Sequence, residues 1–469
     1  MYVFNDCTTD ARVLREATSL AAAGHEVTVI ARLDDPAMPS RDRRDGFEIR
    51  RIPVPVGPQT AWAFFRHPWR ARRRLAGLWQ AAIRRGAAGL PLLALVIVGG
   101  LATALWSAVL APIAWVGGAL ARAAGRPERP GSDLIDWLVA WRWRTLGWAR
   151  AAATIAPDAD VHHGHDLSGL PAAIFSASGR SRVVYDSHEI FLESGSNATR
   201  PSWVRRRFAA IEQGWIRHAT AIVTVNDALA GELAHRYRTP RIVTVHNCAP
   251  RWTPPAVPED RIRRAIGLAP EAIVALYHGA FRAHRGLEQL AEAILEPGLE
   301  QVHAVYLGYG PERPRLDALA ADPRFAGRVH VLGGVDPAAV VSWVAGADVA
   351  VMAIQPSTLN HVLSTPNKLF EAIAAGTPVV ASDFPEIRKI VAADGRGSLG
   401  ELCDPADPRS VAAAIRAIIG LTGAEREALR QRCLAAAHDR WNWETEASAL
   451  VKLYDDLAGA EDASGGRSD

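Results

Sequence analysis

Short apolar runs alternate with stretches of helical periodicity along almost the whole chain, and this alternation restricts the possible folds more than any other feature. A repeated strand-helix-strand pattern is typical of a parallel sheet covered by helices. A helix is predicted from Thr8 or Thr9, either of which can cap it, to Gly24. Strands are predicted at Val3 and Phe4 and at residues 26–31, 47–52, 160–164, 182–186, 221–225, 273–279, 303–308, 328–333, 348–353 and 377–382.

A proline-rich stretch divides this pattern into two series. Residues 247–258 hold four prolines and are predicted to link two domains. Two series of strands and helices predict two doubly wound domains, whose ligands bind at the carboxyl ends of the strands. The predicted organisation is a first domain at 1–250, a second at 251–435, a helix at 436–460 that can cross back to the first domain, and a disordered tail at 461–469.

An insert at about 60–150 interrupts the first series. Within it, the 36 residues 86–121 include no charged side chain, and arginines are enriched on both sides. About 20 apolar residues cross a bilayer, so this segment is too short for two complete spans joined by a turn. Basic flanks tend to stay on the cytoplasmic side, and here both flanks are basic. We therefore predict a membrane-dipping hairpin at about 86–121; the alternative is a pair of helices buried against the first domain.

The amino-acid composition limits which classes of partner and which cellular compartment we expect. The 53 Lys and Arg residues nearly balance the 50 Asp and Glu residues, so the net charge of +3 does not indicate a nucleic-acid partner. The four cysteines are far apart in sequence, which predicts neither a disulfide scaffold nor a thiolate metal site. The first residues lack the pattern of an export signal. The expected location is the cytoplasm, with the protein peripheral or monotopic at the inner face of the cell membrane.

One stretch of sequence is more specific. Residues 364–383, STPNKLFEAIAAGTPVVASD, resemble the signature of family-4 glycosyltransferases of the GT-B fold. The resemblance extends to the first predicted helix and to residues 163–173, 185–189, 223–233 and 277–290, and therefore covers nearly everything except the insert and the tail. It implies an α/β fold of two facing Rossmann-like, doubly wound domains, here with a hydrophobic helical insert in the N-terminal domain.

The resemblance also implies an activity. The family transfers a glycosyl group from a nucleoside diphosphate sugar to an acceptor hydroxyl and retains the anomeric configuration. The C-terminal domain mainly holds the donor, which is a co-substrate, and the N-terminal domain mainly holds the acceptor. No bound cofactor is implied, and we expect no required metal.

The donor site is expected at the amino end of a helix that follows Pro366. Free backbone N–H groups and the positive end of the helix dipole suit an anion such as a diphosphate. Asn367 and Lys368 lie in the first turn of that helix, and Glu371 lies about one turn in. The resemblance implies that Glu371 binds the nucleotide ribose, since a carboxylate accepts hydrogen bonds from both vicinal hydroxyls. The alternative is a solvated glutamate or an ion pair along the helix.

A basic residue is also expected at the donor diphosphate. Arg285 follows the predicted strand 273–279 and matches the position of that residue in the family. A guanidinium group suits a bidentate grip on phosphate. Arg282 and Lys368 are further candidates. For all three, the alternative is a solvated surface charge.

A histidine is expected at the reacting centre. His165 matches the second histidine of the family's strand-end motif and is the predicted catalytic residue. The alternatives are a structural histidine or a zinc ligand, because His-x-His followed by Asp can bind zinc, although the further ligands of such a site are not apparent. Asp158 and Asp160 resemble the Asp-x-Asp metal motif of the other glycosyltransferase fold, but they more simply lead into a strand. We therefore predict no metal site.

Four residues are expected to border the acceptor side of the cleft. Asp10 and Arg12 lie at the start of the first predicted helix, and His188 and Glu189 follow the predicted strand 182–186. For the last two, the alternative is a hydrogen-bonded loop pair that touches no substrate.

The predicted function is retaining glycosyl transfer to a lipid-linked acceptor or glycan precursor at the cytoplasmic membrane face. The insert, through residues 86–121, is the reason to expect a membrane and a lipid. Leu363 stands where the family often has a further glutamate that touches the sugar. Two alternatives therefore remain, a non-catalytic membrane-associated assembly protein of the GT-B fold and a sugar-nucleotide epimerase of the same fold.

Overall fold

The computed structural model describes residues 1–55, 141–256, 259–392 and 397–462. The predicted membrane-dipping hairpin at about 86–121 lies outside the described residues, and so does most of the predicted tail. Within the described ranges, no helix is both long enough and apolar enough to cross a bilayer.

The first of two sheets has eight strands. These are β1 (Tyr2–Val3), β2 (Thr28–Arg32), β3 (Arg41–Arg44), β4 (Phe47–Ile52), β5 (Val161–His165), β6 (Arg182–Ser187), β7 (Ala221–Thr224) and β8 (Arg241–Thr244). Their order across the sheet is β3-β4-β2-β1-β5-β6-β7-β8. β3 is antiparallel to β4, whereas β1 is parallel to both β2 and β5, and β7 to both β6 and β8.

The second sheet has six strands, all parallel. They are β9 (Ile273–Ala280), β10 (Val302–Tyr309), β11 (Val329–Leu332), β12 (Val349–Met352), β13 (Val379–Ser382) and β14 (Gly400–Cys403). Their order is β11-β10-β9-β12-β13-β14, so the direction of strand addition reverses between β9 and β12. Open parallel sheets form a ligand crevice at the carboxyl ends of the strands at such a reversal.

Helices connect the strands of both sheets. They are α1 (Ala11–Ala22), α2 (Arg142–Ala153), α3 (Asp166–Ser176), α4 (Ser202–Ile216), α5 (Asp227–Arg236), α6 (Arg261–Ile266), α7 (Leu287–Ala293), α8 (Arg313–Ala321), α9 (Val340–Val344), α10 (Leu359–Leu363), α11 (Asn367–Ala374), α12 (Pro385–Val391), α13 (Pro408–Ile419), α14 (Gly423–Asp439) and α15 (Trp443–Asp462). Short 3-10 turns lie at Phe191–Glu193, Gly195–Asn197, Pro323–Phe325 and Pro337–Ala339.

The described residues pack as two compact units. The first comprises Met1–Cys7, Thr28–Gly164 and Ser168–Ser181, and the second comprises Thr8–Val27, His165–Leu167 and Arg182–Asp469, as far as the structure describes them. Within the second unit, α1 packs against the C-terminal helix α15. There the indole N–H of Trp443 donates to Oγ of Ser19 at 2.9 Å, and the guanidinium of Arg15 lies 5.3 Å from the ring centroid of Trp443.

The structure confirms every predicted strand to within about two residues at each end. Three strands were not predicted: β3, whose sequence RDRR is fully charged, β8 with the sequence RIVT, and β14 with the sequence GELC. The predicted capping residues of α1 are wrong. Asp10 caps the helix by accepting from the N–H of Val13, because Asp10 and not Thr8 or Thr9 lies three residues before that amide. The region of the predicted helix 436–460 is occupied by the end of α14 and most of α15.

Candidate functional site

The amino end of α11 lies at the centre of the candidate site. Pro366 precedes the helix in an extended conformation, and no side chain caps the first turn. Leu369, Phe370 and Ile373 are buried in the core of the second unit and hold the helix in place. The uncapped first turn presents backbone N–H groups and the positive end of the helix dipole, which together suit an anion.

Glu371 lies on the same helix, one turn further in. Its Oε2 accepts a hydrogen bond from Nε2 of His278, near the carboxyl end of β9, at 3.0 Å. Burial works against ionisation, but the hydrogen bond from His278 and the nearby positive charges of Arg15 and Lys368 outweigh it, and the pKa of Glu371 is lowered. An ionised carboxylate in this position is suited to accept hydrogen bonds from hydroxyl groups.

Lys368 and Arg285 bring two positive charges to the same place. The Nζ of Lys368 lies 3.6 Å from the ring centroid of Tyr277, a cation-π contact. Burial and the charge of Arg285 lower the pKa of Lys368 well below its usual value. Because each cation disfavours the other, an anion bound beside both would relieve their repulsion.

Arg285 is presented by a tight loop between β9 and α7. His284 and Gly286 in this loop have φ angles of 64° and 75°, in the left-handed region. The N–H of Gln355 donates to the carbonyl of His284 at 3.0 Å. A Cβ on Gly286 would lie 2.2 Å from the carbonyl oxygen of Ala353, so only glycine fits there. The loop is therefore fixed against the backbone that follows β12.

Arg285 and Asn367, the first residue of α11, line a cleft of about 1220 Å³, whereas Lys368 and Glu371 are not among its lining residues. Small-molecule sites typically measure about 300–1,000 Å³, so this cleft is large enough for a small-molecule ligand. Most of the residues that line it are polar, and they include Asp10, Arg12, His188, Glu189, Glu193, Ser194, Asn247, Arg282, His284, Arg285, Thr358, Asn360, His361, Ser364 and Asn367.

One wall of the cleft rests on Asp186, a buried residue at the end of β6. Its two oxygens accept from Nε and Nη2 of Arg12 at 2.8 and 3.0 Å. Oδ2 also accepts from Nε2 of His188 at 2.8 Å and from Nδ1 of His165 at 3.1 Å. Burial opposes ionisation of Asp186, but the charges of Arg12 and His188 and these hydrogen bonds outweigh it and hold the pKa of Asp186 well below its ordinary value.

His188 lies between two carboxylates. Its Nε2 contacts Asp186, and its Nδ1 lies 3.4 Å from Oδ1 of Asp166. Burial disfavours the cation, but the two carboxylates outweigh burial and raise the pKa of His188 to about 10. Asp166 has a φ of 54°, which is uncommon for a residue with a side chain and is typical of functional sites. His188 is therefore a fixed positive charge in the cleft wall at neutral pH.

Behind this wall, Arg12 also contacts Glu16, with Nε 2.9 Å from Oε1. Burial and the charge of Asp186 raise the pKa of Glu16 well above its ordinary value, and burial lowers the pKa of His165. Carboxylates and imidazoles are metal-ligand types, but here the guanidinium of Arg12 supplies the positive charge between the two carboxyl groups. The arrangement fits a structural ion cluster better than a metal centre, and the expected independence of metal stays a prediction.

The structure brings most of the predicted site residues together. Seven of them line the cleft: Asp10, Arg12, His188, Glu189, Arg282, Arg285 and Asn367. Lys368 and Glu371 lie on α11 beside Tyr277 and His278. His165, the predicted catalytic residue, is completely buried and is not among the residues that line the cleft. The histidine of this wall that reaches the cleft is His188.

Several polar residues of the site were not predicted. His278 immediately precedes Gly279 at the carboxyl end of β9, and Asp186 lies in the segment YDSHE, so both occupy strand ends where ligands bind. His284 and His361 also line the cleft, with ring centroids 6.5 Å apart. Burial and the charge of Arg285 lower the pKa of His361 to about 4, so this imidazole is neutral at pH 7.

Two α/β sheets, parallel apart from the edge strand β3, with an uncapped helix end and a cationic loop at the carboxyl ends of the second sheet, are typical of the class of GT-B glycosyltransferases. The family model described as "Glycosyl transferases group 1" matches residues 272–420, and that described as "Glycosyl transferase 4-like domain" matches residues 9–248, just over half of the chain. The chain belongs to the glycosyl transferase 4-like family, and the group 1 match over residues 272–420 confirms the resemblance of residues 364–383.

Two curated relatives agree with this assignment. A D-inositol 3-phosphate glycosyltransferase of Geodermatophilus obscurus is 32% identical over 255 residues, which is 50% of this chain and 53% of the relative. A phosphatidyl-myo-inositol mannosyltransferase of Mycobacterium tuberculosis is 28% identical over 238 residues, 46% of this chain and 60% of the relative. The chain thus spans between about half and three fifths of the length of these relatives.

A solved structure supports the fold. HepE of Anabaena, in complex with UDP, superposes with a TM-score of 0.53 at 18% identity. The match covers 66% of this chain and 82% of that one.

Proposed function

We propose that this chain moves a sugar from a nucleoside diphosphate sugar to an acceptor hydroxyl, with retention of the anomeric configuration. The proposal depends on one observation: an uncapped first turn, two cations and an ionised carboxylate lie together at one helix end. A diphosphate matches the uncapped turn and the two cations, and a ribose matches the carboxylate. The proposal is supported by membership of the family, by the glycosyl transfer named for both relatives, and by the UDP bound to HepE.

In this proposal each group has one task. Arg285, Lys368 and the amino end of α11 bind the diphosphate and stabilise the charge that it gains as it leaves. Glu371, held by His278, accepts hydrogen bonds from the ribose hydroxyls. The bond between the sugar C1 and the β-phosphate oxygen breaks, and a bond from the acceptor oxygen to C1 forms on the same face. The acceptor proton goes to the departing phosphate, so the products are a glycoside and a nucleoside diphosphate.

The test is release of nucleoside diphosphate from a panel of UDP- and GDP-sugars by the purified protein, with and without an acceptor alcohol, and the anomeric configuration of each glycoside formed is read by NMR. Glu371→Gln and Arg285→Gln each remove a charged hydrogen-bonding partner and should lower kcat/KM about ten- to a hundredfold. Arg409→Gln is the matched control, because Arg409 is 77% exposed and lies outside the cleft lining. Equal activity in all three variants would contradict the proposal.

The same assay separates the alternative functions. An epimerase would convert the donor to its isomer without an acceptor and without net release of nucleoside diphosphate. A non-catalytic assembly protein would bind the donor and leave it intact, and Glu371→Gln would then weaken binding with no turnover to lose.

For the acceptor, we propose a lipid-linked sugar or glycan precursor at a membrane surface. This is supported by the uncharged sequence at 86–121 and by the phosphatidyl-myo-inositol named as the substrate of one relative. Vesicles of phosphatidylcholine and phosphatidylglycerol should sediment the protein, and charged residues in place of Leu95, Val96 and Ile97 should release it. Binding that disappears in high salt for the parent protein, or a parent that stays in the supernatant, would contradict insertion of this segment.

A further inference from the structure

The segment 359–365, which comprises α10 and the turn leading into α11, is held by two asparagines. Asn226, at the end of β7, is completely buried. Its Oδ1 accepts from the N–H of Leu229 at 2.8 Å and caps α5. Its Nδ2 donates to the carbonyl of Leu363 at 2.8 Å and to Oγ1 of Thr365 at 3.2 Å. One side chain therefore joins the start of α5 to the turn before α11.

Asn360 makes a second, two-way connection. This residue of α10 is 7% exposed, and its side chain pairs with the backbone of Ile190. Its Oδ1 accepts from the N–H of Ile190 at 2.9 Å, and its Nδ2 donates to the carbonyl of Ile190 at 3.0 Å. An amide side chain that satisfies both backbone groups of one residue fixes distance and orientation together.

We infer that Asn226 and Asn360 form an asparagine clamp that positions the amino end of α11 for the donor diphosphate. The clamp holds residues 359–365 at both ends. Asn367 and Lys368 come after this segment, separated from it by Pro366 alone. Because Leu363 contributes its backbone carbonyl to the clamp, the turn before α11 is located by hydrogen bonds from Asn226 and does not depend on the side chain at position 363. The inference rests on the proposed function, since it assigns a positioning role within that donor site.

The physical reason is conformational entropy. A loop held by few contacts loses this entropy each time it binds a ligand, and the loss weakens binding. When buried side chains hold the loop, the entropy is already lost during folding, so ligand binding is no longer weakened by it. A displacement of about 1 Å at reacting groups can cost about a hundredfold in rate. Loss of the clamp should therefore weaken the donor site more than it weakens the fold.

Asn226→Ser is the decisive variant. Serine is as good a helix cap as asparagine, so the hydrogen bond to the N–H of Leu229 is kept, but its side chain is too short to reach Leu363. Asn442→Ser is the matched control. Asn442 is also buried, accepts from the N–H of Thr445 at the start of α15, and donates to the carbonyls of Ala437 and His438. It is not among the residues that line the cleft.

UDP and GDP are titrated into each protein, and the melting temperature and steady-state kinetics are measured in parallel. Both serine variants should lower the melting temperature to a similar degree. Only Asn226→Ser should raise the Kd of the nucleoside diphosphate and the donor KM, by about tenfold, the equivalent of one lost hydrogen bond. Asn360→Asp, which keeps the acceptor for the N–H of Ile190 and loses the donor, should act in the same direction. Equal Kd and KM in Asn226→Ser and Asn442→Ser would overturn the inference.

Amide hydrogen exchange tests the clamp independently of the proposed function, because it needs neither nucleotide binding nor turnover. If the parent protein binds neither nucleotide and transfers no sugar, the proposed function fails. The clamp is then judged by amide exchange over residues 359–369 in the free protein. Faster exchange there in Asn226→Ser but not in Asn442→Ser supports the clamp, and unchanged exchange in Asn226→Ser overturns it.

Discussion

Raising the pH from 5 to 8 should destabilise this protein through one buried carboxyl group, Glu212 of α4. Its Oε2 accepts from the hydroxyl of Tyr237 at 2.5 Å and its Oε1 from that of Tyr185 at 3.4 Å. Burial raises the pKa of Glu212 to about 7, although the two tyrosines and the charge of Arg236 act in the opposite direction. The folded protein therefore keeps a proton on Glu212 at pH values where the unfolded chain has released it.

The sign and size follow from linkage. An ordinary glutamate has a pKa of 4.5, so between pH 4.5 and 7 the folded state binds the extra proton and the free energy of unfolding falls as pH rises. Each tenfold change in proton affinity corresponds to about 1.4 kcal/mol, which gives a loss of about 3 kcal/mol well above pH 7. Glu212→Gln keeps the shape but cannot ionise. Its one oxygen accepts from one tyrosine hydroxyl and its NH2 group faces the other, a cost that does not vary with pH, so its stability should not carry this pH-dependent loss.

The measurement is urea unfolding of parent and Glu212→Gln proteins from pH 5 to pH 8, followed by circular dichroism. The difference in unfolding free energy between the two should shift by about 2.5 kcal/mol in favour of glutamine across this range, because part of the loss is already present at pH 5. Glu427→Gln, at an exposed position of α14, controls for the loss of one carboxyl group. A difference between parent and Glu212→Gln that stays constant with pH would refute the reasoning.

Two further substitutions test the cleft. Asp186→Asn leaves the charges of Arg12 and His188 without their shared carboxylate and should cost about 3–5 kcal/mol of unfolding free energy. The pKa of His188 should fall below about 10 while Asp166 still favours the cation, as read from its ring signals by NMR titration, and an unchanged pKa would mean that Asp186 does not hold this proton. Gly286→Ala should distort the loop that carries Arg285, because a Cβ there meets the carbonyl oxygen of Ala353 and φ is 75°. A drop in melting temperature with weaker binding of UDP is expected, and an unchanged Kd would show that the loop tolerates the extra carbon.

The strands were predictable from sequence where burial on both faces produced a continuous apolar run, as at residues 273–279 and 303–308. β3 was not, because an antiparallel edge strand needs no apolar side chains and its sequence is RDRR. The helix α11 was predictable because Pro366 and the following residues define its start locally. Such signals depend on a few neighbouring residues only.

The site was less predictable where it depends on residues remote in sequence. His165 and His188 both follow strand ends, and nothing local indicates that Asp186, Arg12 and Glu16 would enclose the first and leave the second at the cleft. The contact between Asn226 and Leu363 spans 137 residues. When two contacting residues are so far apart in sequence, the packing of whole helices and strands decides whether they meet. The spacing of residues in the sequence does not reveal that packing.

The packing of α1 on α15 has a consequence for biosynthesis. Ser19 and Trp443 are 424 residues apart, and ribosomes add about 5–20 residues per second, so the first helix waits roughly 20 to 85 s for its partner to be translated. During that time its apolar face lacks its final cover. Nascent chains of this protein should therefore expose this face until α15 has been translated.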